Sequence, residues 1–528
     1  MVNVVELFLA QARARGGTIA LVDELRGAVR ATTFAELEDQ SARIATLLSR
    51  RGVGPGSPVL LFHPPSAELY AVIIAIFRLG AIAMVIDLSA GRETLDVACR
   101  ALPPSALFVS GRARLLALVS APLRRIPFIL TTGRIALGAA RISEAAALPR
   151  HEPSAVVAAD TPALVTFTSG STGAAKGALR SHGVLRAQHE ALGSVAARTG
   201  EVDLVSLPIV VLTNLGNGAT SVIPAGDLRR PGAIEVAPVL EQIRGSRVAR
   251  MTVSPVLAER LVDGSCANGV GHSPLEGVRI VTGGGPVFPD FIARAHAMTA
   301  ATVVAVYGST EAEPIAHVTS AEIGAAELEA MRGGAGLIAG RPVSETDVRI
   351  VPMRLDDAGR IEALSRRAPA REPSLRGEII VSGAHVVPGY LHGRGDAETK
   401  VRAGGTVWHR TGDIGYLDDV GRLWLLGRAA ATINDSRGEL HPFAVECAAR
   451  LILPGRRTVL AAHEGKRVLL VDDQLDPASR STLAEGLSWA QLDRIIAGVK
   501  IPLDRRHNSK VDYAALGARL PRLVDSRS

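Results

Sequence analysis

Apolar positions along the chain alternate between two spacings. Residues 33–50 carry them at helical period, 57–62 form a short apolar run, 67–79 return to the helical period, and 81–86 form a second run. Strands alternating with helices of about 10–15 residues predict parallel α/β sheets. The pattern returns after Ala163 and again between Val236 and Val306. Residues 366–376 (RRAPAREPSLR) turn rich in Pro and Arg, which predicts an exposed loop. Beyond it, residues 377–382 and 423–426 read as strands of a smaller β unit. From about Gly427 the remaining hundred or so residues read as a compact α+β domain. No internal repeat or low-complexity tract interrupts this order.

Composition narrows the class. A chain of 528 residues at about 150 per domain suggests three or four units, although large α/β enzymes merge such units. A hydrophobic fraction of 47% against 21% charged supplies a sizeable core and excludes wholesale disorder. With only 3% aromatic residues, that core rests on Ala, Val, Leu and Ile. Cys99, Cys266 and Cys447 lie far apart, with no CxxC zinc spacing and no even-numbered disulfide framework, which favours a reducing compartment.

A net charge of +7 and a pI near 9.7 invite a nucleic-acid reading, and the distribution of charge argues against it. Five of the 59 basic residues are Lys (Lys176, Lys400, Lys466, Lys500, Lys510), leaving 54 Arg. These are scattered among Asp and Glu, without the aromatic interleaving of single-strand binders. Where Arg substitutes so freely, a surviving Lys marks a place for a compact ammonium. The N-terminal segment lacks the basic-then-apolar order of a signal peptide. The most apolar stretch, residues 69–77, ends at Arg78, far short of the roughly 20 residues that span a bilayer. A soluble cytoplasmic protein with no membrane span is expected.

Four segments carry candidate chemistry. In Leu164-Val-Thr-Phe-Thr-Ser-Gly-Ser-Thr-Gly-Ala-Ala-Lys-Gly177 an apolar strand enters a loop of glycines and hydroxyls closed by a Lys. Turning backbone N–H groups inward, with hydroxyls and an ammonium beside them, makes a phosphate cradle. The spacing differs from the GxxxxGK[ST] loop, because Lys176 precedes Gly177. In Val303-Val-Ala-Val-Tyr-Gly-Ser-Thr-Glu-Ala312 a β-branched strand ends on Tyr307. There an aromatic can stack on a base, Thr310 can meet a phosphate and Glu311 can offer Mg²⁺ a hard oxygen. A turn in which Thr310 caps a following helix is the competing reading of the segment taken alone. The run Thr282-Gly-Gly-Gly-Pro286 admits either a flat ring or an ordinary tight turn. His409-Arg-Thr-Gly-Asp413, with Gly427-Arg428 after it, sets a carboxylate behind a turn, suited to a ribose diol, and an Arg suited to phosphate. Ile501-Pro-Leu-Asp-Arg-Arg-His-Asn-Ser-Lys510 puts Lys510 in a polar loop before a helical tail beginning near Val511.

In order and spacing these segments resemble the adenylate-forming (AMP-binding) superfamily, which includes acyl-CoA synthetases, luciferases and peptide-synthetase adenylation domains. The resemblance covers essentially the whole chain. It implies an α/β fold: a large N-terminal domain of stacked α/β sheets plus a distorted β-barrel (residues 1–427), and a small mobile α+β C-terminal domain (428–528) carrying the catalytic lysine. Residues 433–446, with Gly438, Pro442 and Glu446, are similar to the loop that opens that domain. Thr168, Ser169, Gly170, Ser171, Thr172, Gly173 and Lys176 correspond to the phosphate loop. Of these, Ser169, Thr172 and Lys176 would hold the β- and γ-phosphates of ATP. Gly284, Gly285, Tyr307 and Gly308 would line the adenine site. Thr310 would contact the α-phosphate, Glu311 would bind Mg²⁺, Asp413 would hold the ribose hydroxyls and Arg428 would touch the nucleotide. Lys510 would bridge the attacking carboxylate and the α-phosphate. A carboxylate nearing a tetra-anionic nucleotide must overcome Coulomb repulsion, and Mg²⁺ with two ammonium groups supplies the compensating charge.

Departures from the family pattern bear on the product. Leu207-Pro208-Ile209-Val210-Val211 lacks the His of the LPxFH motif common in acyl-CoA synthetases. Ala429-Ala430-Ala431-Thr432 stands where an Asp or Lys hinge is usual. Arg506-His507-Asn508-Ser509-Lys510 and residues 207–231 look like the olefin β-lactone synthetases and their "fatty acid CoA ligase" relatives. The expected activity is ATP-dependent adenylation of an apolar, fatty-acyl-like acid partner, residues 204–215 offering little charge. Transfer to CoA is placed first and closure of a β-hydroxy acid to a β-lactone close behind. A small biosynthetic acid and a non-catalytic AMP-binding scaffold are the remaining alternatives.

Overall fold

The computed structural model describes residues 3–25, 27–86, 91–111, 120–133, 138–169, 175–265, 273–353, 355–365, 375–504 and 509–525. The helical period near residue 33 becomes helix Phe34–Ser49. Thr33 caps it: the Glu36 N–H donates to the Thr33 hydroxyl at 3.2 Å, and the Thr33 N–H donates to the Glu36 carboxylate at 2.8 Å. Such a cap is worth about 1 kcal/mol. The apolar run near residue 70 forms helix Ala67–Arg78, buried on every side. Its terminal Arg78 is 2% exposed and donates to Glu38 at 2.6 Å, so the buried cation is paired. Among the described residues no helix is long and apolar enough to cross a membrane.

Two sheets organise the first part of the chain. A seven-stranded sheet runs, edge to edge, Ala140–Arg141, Phe128–Thr131, Ala106–Val109, Pro58–Phe62, Ile82–Ile86, Pro162–Ser169 and Ala175–Ser181. Its first six strands are parallel and the last pair forms an antiparallel hairpin. A second, fourteen-stranded sheet has a parallel stretch: Val303–Ser309, Arg279–Gly283, Arg250–Val253, Val202–Val205, Thr220–Val222 and Ile19–Leu25. The strands read as a smaller β unit, Gly377–Ser382 and Leu423–Arg428, continue this sheet, because Leu337–Pro342 pairs with Leu423–Arg428. The antiparallel end, where the resemblance implies a distorted barrel, follows an open strand path among the described residues.

The chain beyond Arg428 has cores of its own. Val445, Leu460, Leu469 and Leu483 centre one, and Val459, Val468, Leu470 and Leu516 another. Helix Pro442–Ile452 also faces the long sheet, with Cys447 fully buried in that sheet's core. Phe288 and Phe443 meet edge-on at 5.9 Å, the Arg450 guanidinium lies 4.3 Å from the Phe288 ring, and the Gly455 N–H donates to Asp290 at 3.0 Å. In this arrangement the C-terminal part is docked on the body of the protein. Helix Tyr513–Asp525 supplies the expected helical tail.

Candidate active site

The phosphate segment falls on the Pro162–Ser169/Ala175–Ser181 hairpin, in which Thr168 faces Lys176 and Ser169 faces Ala175. Gly170, Ser171, Thr172 and Gly173 lie outside the described residues, and of Thr168 and Ser169 only the backbone is described. The Lys176 ammonium lies 3.9 Å from the Glu398 carboxylate and 5.7 Å from the Tyr390 ring centre. It is seated over Gly395, where φ is +100° and a Cβ would come within 2.6 Å of Nζ, so only glycine leaves the ammonium its place.

Tyr307 and Glu311 belong to a second hairpin. Strand Val303–Ser309 returns as Ala312–Thr319, so Thr310 and Glu311 sit at a strand reversal and no helix follows them. The ladder shifts register between Tyr307 and Ser309, across Gly308. Arg180, from the phosphate hairpin, donates to the Thr310 carbonyl and to the Thr166 hydroxyl, joining the two hairpins. The Tyr390 hydroxyl donates to Glu311 Oε1 at 2.6 Å, and Tyr390 also bridges to Ala178 on the phosphate hairpin. Lys400 also lies over that ring, 5.6 Å from its centre, and its ammonium donates to the Val387 carbonyl and lies 3.2 Å from His409 Nδ1.

The electrostatics of this cluster are consistent. Burial lowers the Lys400 ammonium to about 8, with Glu311 and Asp396 opposing the shift. Burial and then Lys400 hold His409 at about 4, so its imidazole is neutral at pH 7. Burial also disfavours the Glu311 carboxylate, but the surrounding cations and the Tyr390 hydroxyl outweigh it and leave Glu311 below its ordinary value. With His409 neutral, the attraction felt at neutral pH comes from Lys400 and the Tyr390 bond. Glu311 is thus a charged carboxylate, its Oε1 held by the Tyr390 hydroxyl. Among the described residues no group of three or more His, Cys, Asp or Glu is arranged to hold a metal ion. One carboxylate oxygen suits Mg²⁺ that arrives with nucleotide phosphates as its other ligands.

Asp413 lies in strand Thr406–Leu417, opposite Arg428 at the end of Leu423–Arg428. The Tyr307 hydroxyl donates to Asp413 Oδ2 at 2.8 Å, Arg428 Nε lies 3.3 Å from Oδ1, and Arg428 Nη1 donates to the Thr411 carbonyl at 2.8 Å. Burial and the Asp413 charge push the Tyr307 phenol well above its ordinary value, so it remains a donor. Asp413, followed by burial effects and other anions, shapes the Arg428 environment, and the net result holds its guanidinium charged. The predicted adenine, ribose and phosphate contacts Tyr307, Asp413 and Arg428 are therefore neighbours.

The glycine run reaches the same place from strand Arg279–Gly283. A Cβ on Gly285 would stand 2.4 Å from Ser509 Oγ and 2.9 Å from Ser509 Cβ, with Pro255 3.6 Å away. Ser509 precedes Lys510, so the C-terminal loop enters the crevice at the predicted adenine site. Its hydroxyl is buried and has no hydrogen-bond partner among the described residues. No sequence pattern assigns a role to Arg180, Tyr390, Lys400 or His409, although His409 opens the segment that ends at Asp413. Lys400 had carried one signal, as one of five lysines in an Arg-rich chain.

Known proteins resemble this chain over most of its length. The AMP-binding enzyme family matches residues 8–391. An olefin beta-lactone synthetase of Stenotrophomonas maltophilia (strain K279a) is 30% identical over 90% of this chain and 89% of its own length. An indoleacetate–CoA ligase of Aromatoleum aromaticum is 28% identical over 92% and 91%. Among solved structures, the amide bond synthetase McbA from Marinactinospora thermotolerans superposes with a TM-score of 0.78 at 22% identity, covering 98% of this chain and 99% of its own, a likeness of fold.

Proposed function

The chain belongs to the family of AMP-binding enzymes, adenylate-forming ligases that act with ATP, and we propose that it activates an apolar carboxylic acid as its acyl-adenylate. The observation that carries this is the contact of Ser509, the residue before Lys510, with Gly285, which follows the strand paired with that of Tyr307. An oxygen of the acid attacks the α-phosphorus of ATP; the new P–O bond forms as the bond to the β-phosphate breaks, and pyrophosphate leaves. Lys176 and the hairpin tip hold the departing phosphates, Thr310 the α-phosphate, and Asp413 the ribose. Gly284, Gly285, Tyr307 and Gly308 line the base, and Arg428 joins the nucleotide through the Asp413 edge. Glu311 would hold Mg²⁺, which when bound would supply positive charge against the phosphates. Lys510 neutralises the incoming carboxylate against the α-phosphate.

For the second step we favour closure of a β-hydroxy acid. Its own hydroxyl oxygen attacks the activated carbonyl, gives up its proton, and AMP leaves, producing a β-lactone. The similarity to the olefin beta-lactone synthetase over 90% of the chain supports this reading, as do the residues Arg506 to Lys510. Transfer to CoA is the second reading, supported by the similarity to the indoleacetate–CoA ligase. In both, the C-terminal domain would turn about the junction near Arg428 after adenylation and withdraw the lysine.

The test is Mg²⁺-dependent pyrophosphate release across a panel of acids, followed by mass analysis of products from a long-chain 3-hydroxy acid with and without CoA. A product lighter than the acid by one water, formed without CoA, is expected. A thioester formed only with CoA would replace the lactone reading, and absence of release with every acid would leave a scaffold.

A further inference from the structure

We propose that Asp504 is a positioning residue for Lys510, an inference that rests on the adenylation reading above. Its carboxylate Oδ1 accepts the N–H of Ser509 at 3.0 Å and the N–H of Lys510 at 2.7 Å. Its own N–H donates to the Lys510 carbonyl at 2.8 Å. Leu503 and Val511 form an antiparallel bridge beside this contact, and the Asp512 N–H donates to the Pro502 carbonyl at 3.0 Å. The chain therefore enters and leaves the lysine loop on one short ladder, and both peptide groups of Lys510 are tied to a single side chain and its backbone.

Two consequences follow from chemistry. Hydrogen bonds to a carboxylate are about twice as strong as neutral ones, and here two converge on one oxygen. With its N–H and its carbonyl both fixed, the Lys510 Cα is held in orientation, which sets the direction in which the side chain leaves the backbone. The neighbouring Ser509 is pressed on Gly285, so the same frame is registered against the nucleotide crevice. Asp504 touches no reacting atom. It acts through Lys510, which has to meet the attacking carboxylate and the α-phosphate together. A displacement of about 1 Å at such a point costs roughly a hundredfold in rate.

The experiment measures ATP–pyrophosphate exchange with a long-chain 3-hydroxy acid for the parent, Asp504→Ala, Asp504→Asn, Lys510→Ala and the Asp504→Ala/Lys510→Ala double variant. Asp504→Ala is expected to lower the exchange kcat about 10- to 100-fold, with the KM for ATP and the turnover of added acyl-adenylate both within about twofold of the parent. Asp504→Asn, which keeps an oxygen able to accept both N–H bonds, is expected to recover to within about threefold of the parent. In the Lys510→Ala background, Asp504→Ala is expected to cost nothing further, since its effect runs through the lysine. Full activity in Asp504→Ala, no recovery in Asp504→Asn, or an additive loss in the double variant would overturn the assignment. Loss of acyl-adenylate turnover in step with exchange would mark a general structural defect and overturn it as well. A parent that supports no exchange, or a Lys510→Ala variant as fast as the parent, would instead remove the adenylation reading on which the inference stands.

Discussion

Gly285→Ala places one methyl group where the two parts of the protein meet. In the docked arrangement that methyl would stand 2.4 Å from Ser509 Oγ and 2.9 Å from Ser509 Cβ. Ordinary contact begins near 3.4 Å, so the loop bearing Lys510 has to retreat by about 1 Å; overpacking of this kind typically costs about 1–3 kcal/mol. Charged to the docked state alone, that penalty lowers its population about 5- to 150-fold. The misplacement of the ammonium adds to it. ATP–pyrophosphate exchange is expected to fall by roughly one to two orders of magnitude, and thermal stability to change little, because the strain is released by undocking. Ser509→Gly removes both clashing atoms, so the double variant is expected to regain most of the lost exchange. Binding of ATP, followed by calorimetry, separates docking from a direct effect on adenine. Parental exchange in Gly285→Ala, or a loss that Ser509→Gly does not relieve, would refute the contact as the route by which the lysine arrives.

Three further outcomes can be checked independently. Asp413→Ala removes the proposed ribose acceptor and strands the Tyr307 hydroxyl, so ATP affinity by calorimetry is expected to weaken about 10- to 100-fold; unchanged affinity would remove Asp413 from the nucleotide site. Tyr390→Phe deletes the donor to Glu311 Oε1 while keeping the ring near Lys176 and Lys400. The Mg²⁺ concentration for half-maximal exchange should rise about 3- to 10-fold, and an unaltered Mg²⁺ titration would dissociate Tyr390 from Glu311. Burial raises Glu446 from 4.5 to about 7. The proton it holds therefore contributes stability that is complete below about pH 4.5 and is lost as pH rises through about 7. Glu446→Gln, whose amide oxygen can still accept the Leu460 N–H, should raise Tm at pH 8 and not at pH 4, by up to about 3 kcal/mol of stability. Equal Tm values for variant and parent at pH 8 would refute the buried-acid assignment.

Much of the frame was legible because it is local. The helical period from residue 33, the apolar helix after Ala67 and the strand running into Ser169 each announce themselves within a dozen residues. The turn at Thr310 was not resolved from the residues alone: a hydroxyl followed by an acid caps a helix as readily as it reverses a strand, and pairing of Ala316 with Tyr307 decides it. The continuation of the long sheet through Leu337–Pro342 and Leu423–Arg428 joins strands more than eighty residues apart, and no local period encodes such a register. Tyr390 meets Glu311 across 79 residues, and Lys400 and His409, set opposite each other by a local hairpin, reach the same carboxylate only in the folded chain. The carboxylate of Asp504 drew no attention because an Asp in a polar loop is ordinary until its two N–H partners are seen.

The most direct test of a lysine delivered from the C-terminal domain to a nucleotide held elsewhere is Lys510→Ala, measured for each half of the reaction. Adenylation by pyrophosphate exchange should fall about 10²- to 10³-fold, while ATP affinity and turnover of supplied acyl-adenylate stay near the parent's. Parental exchange in the variant, or equal loss in both half-reactions, would contradict it.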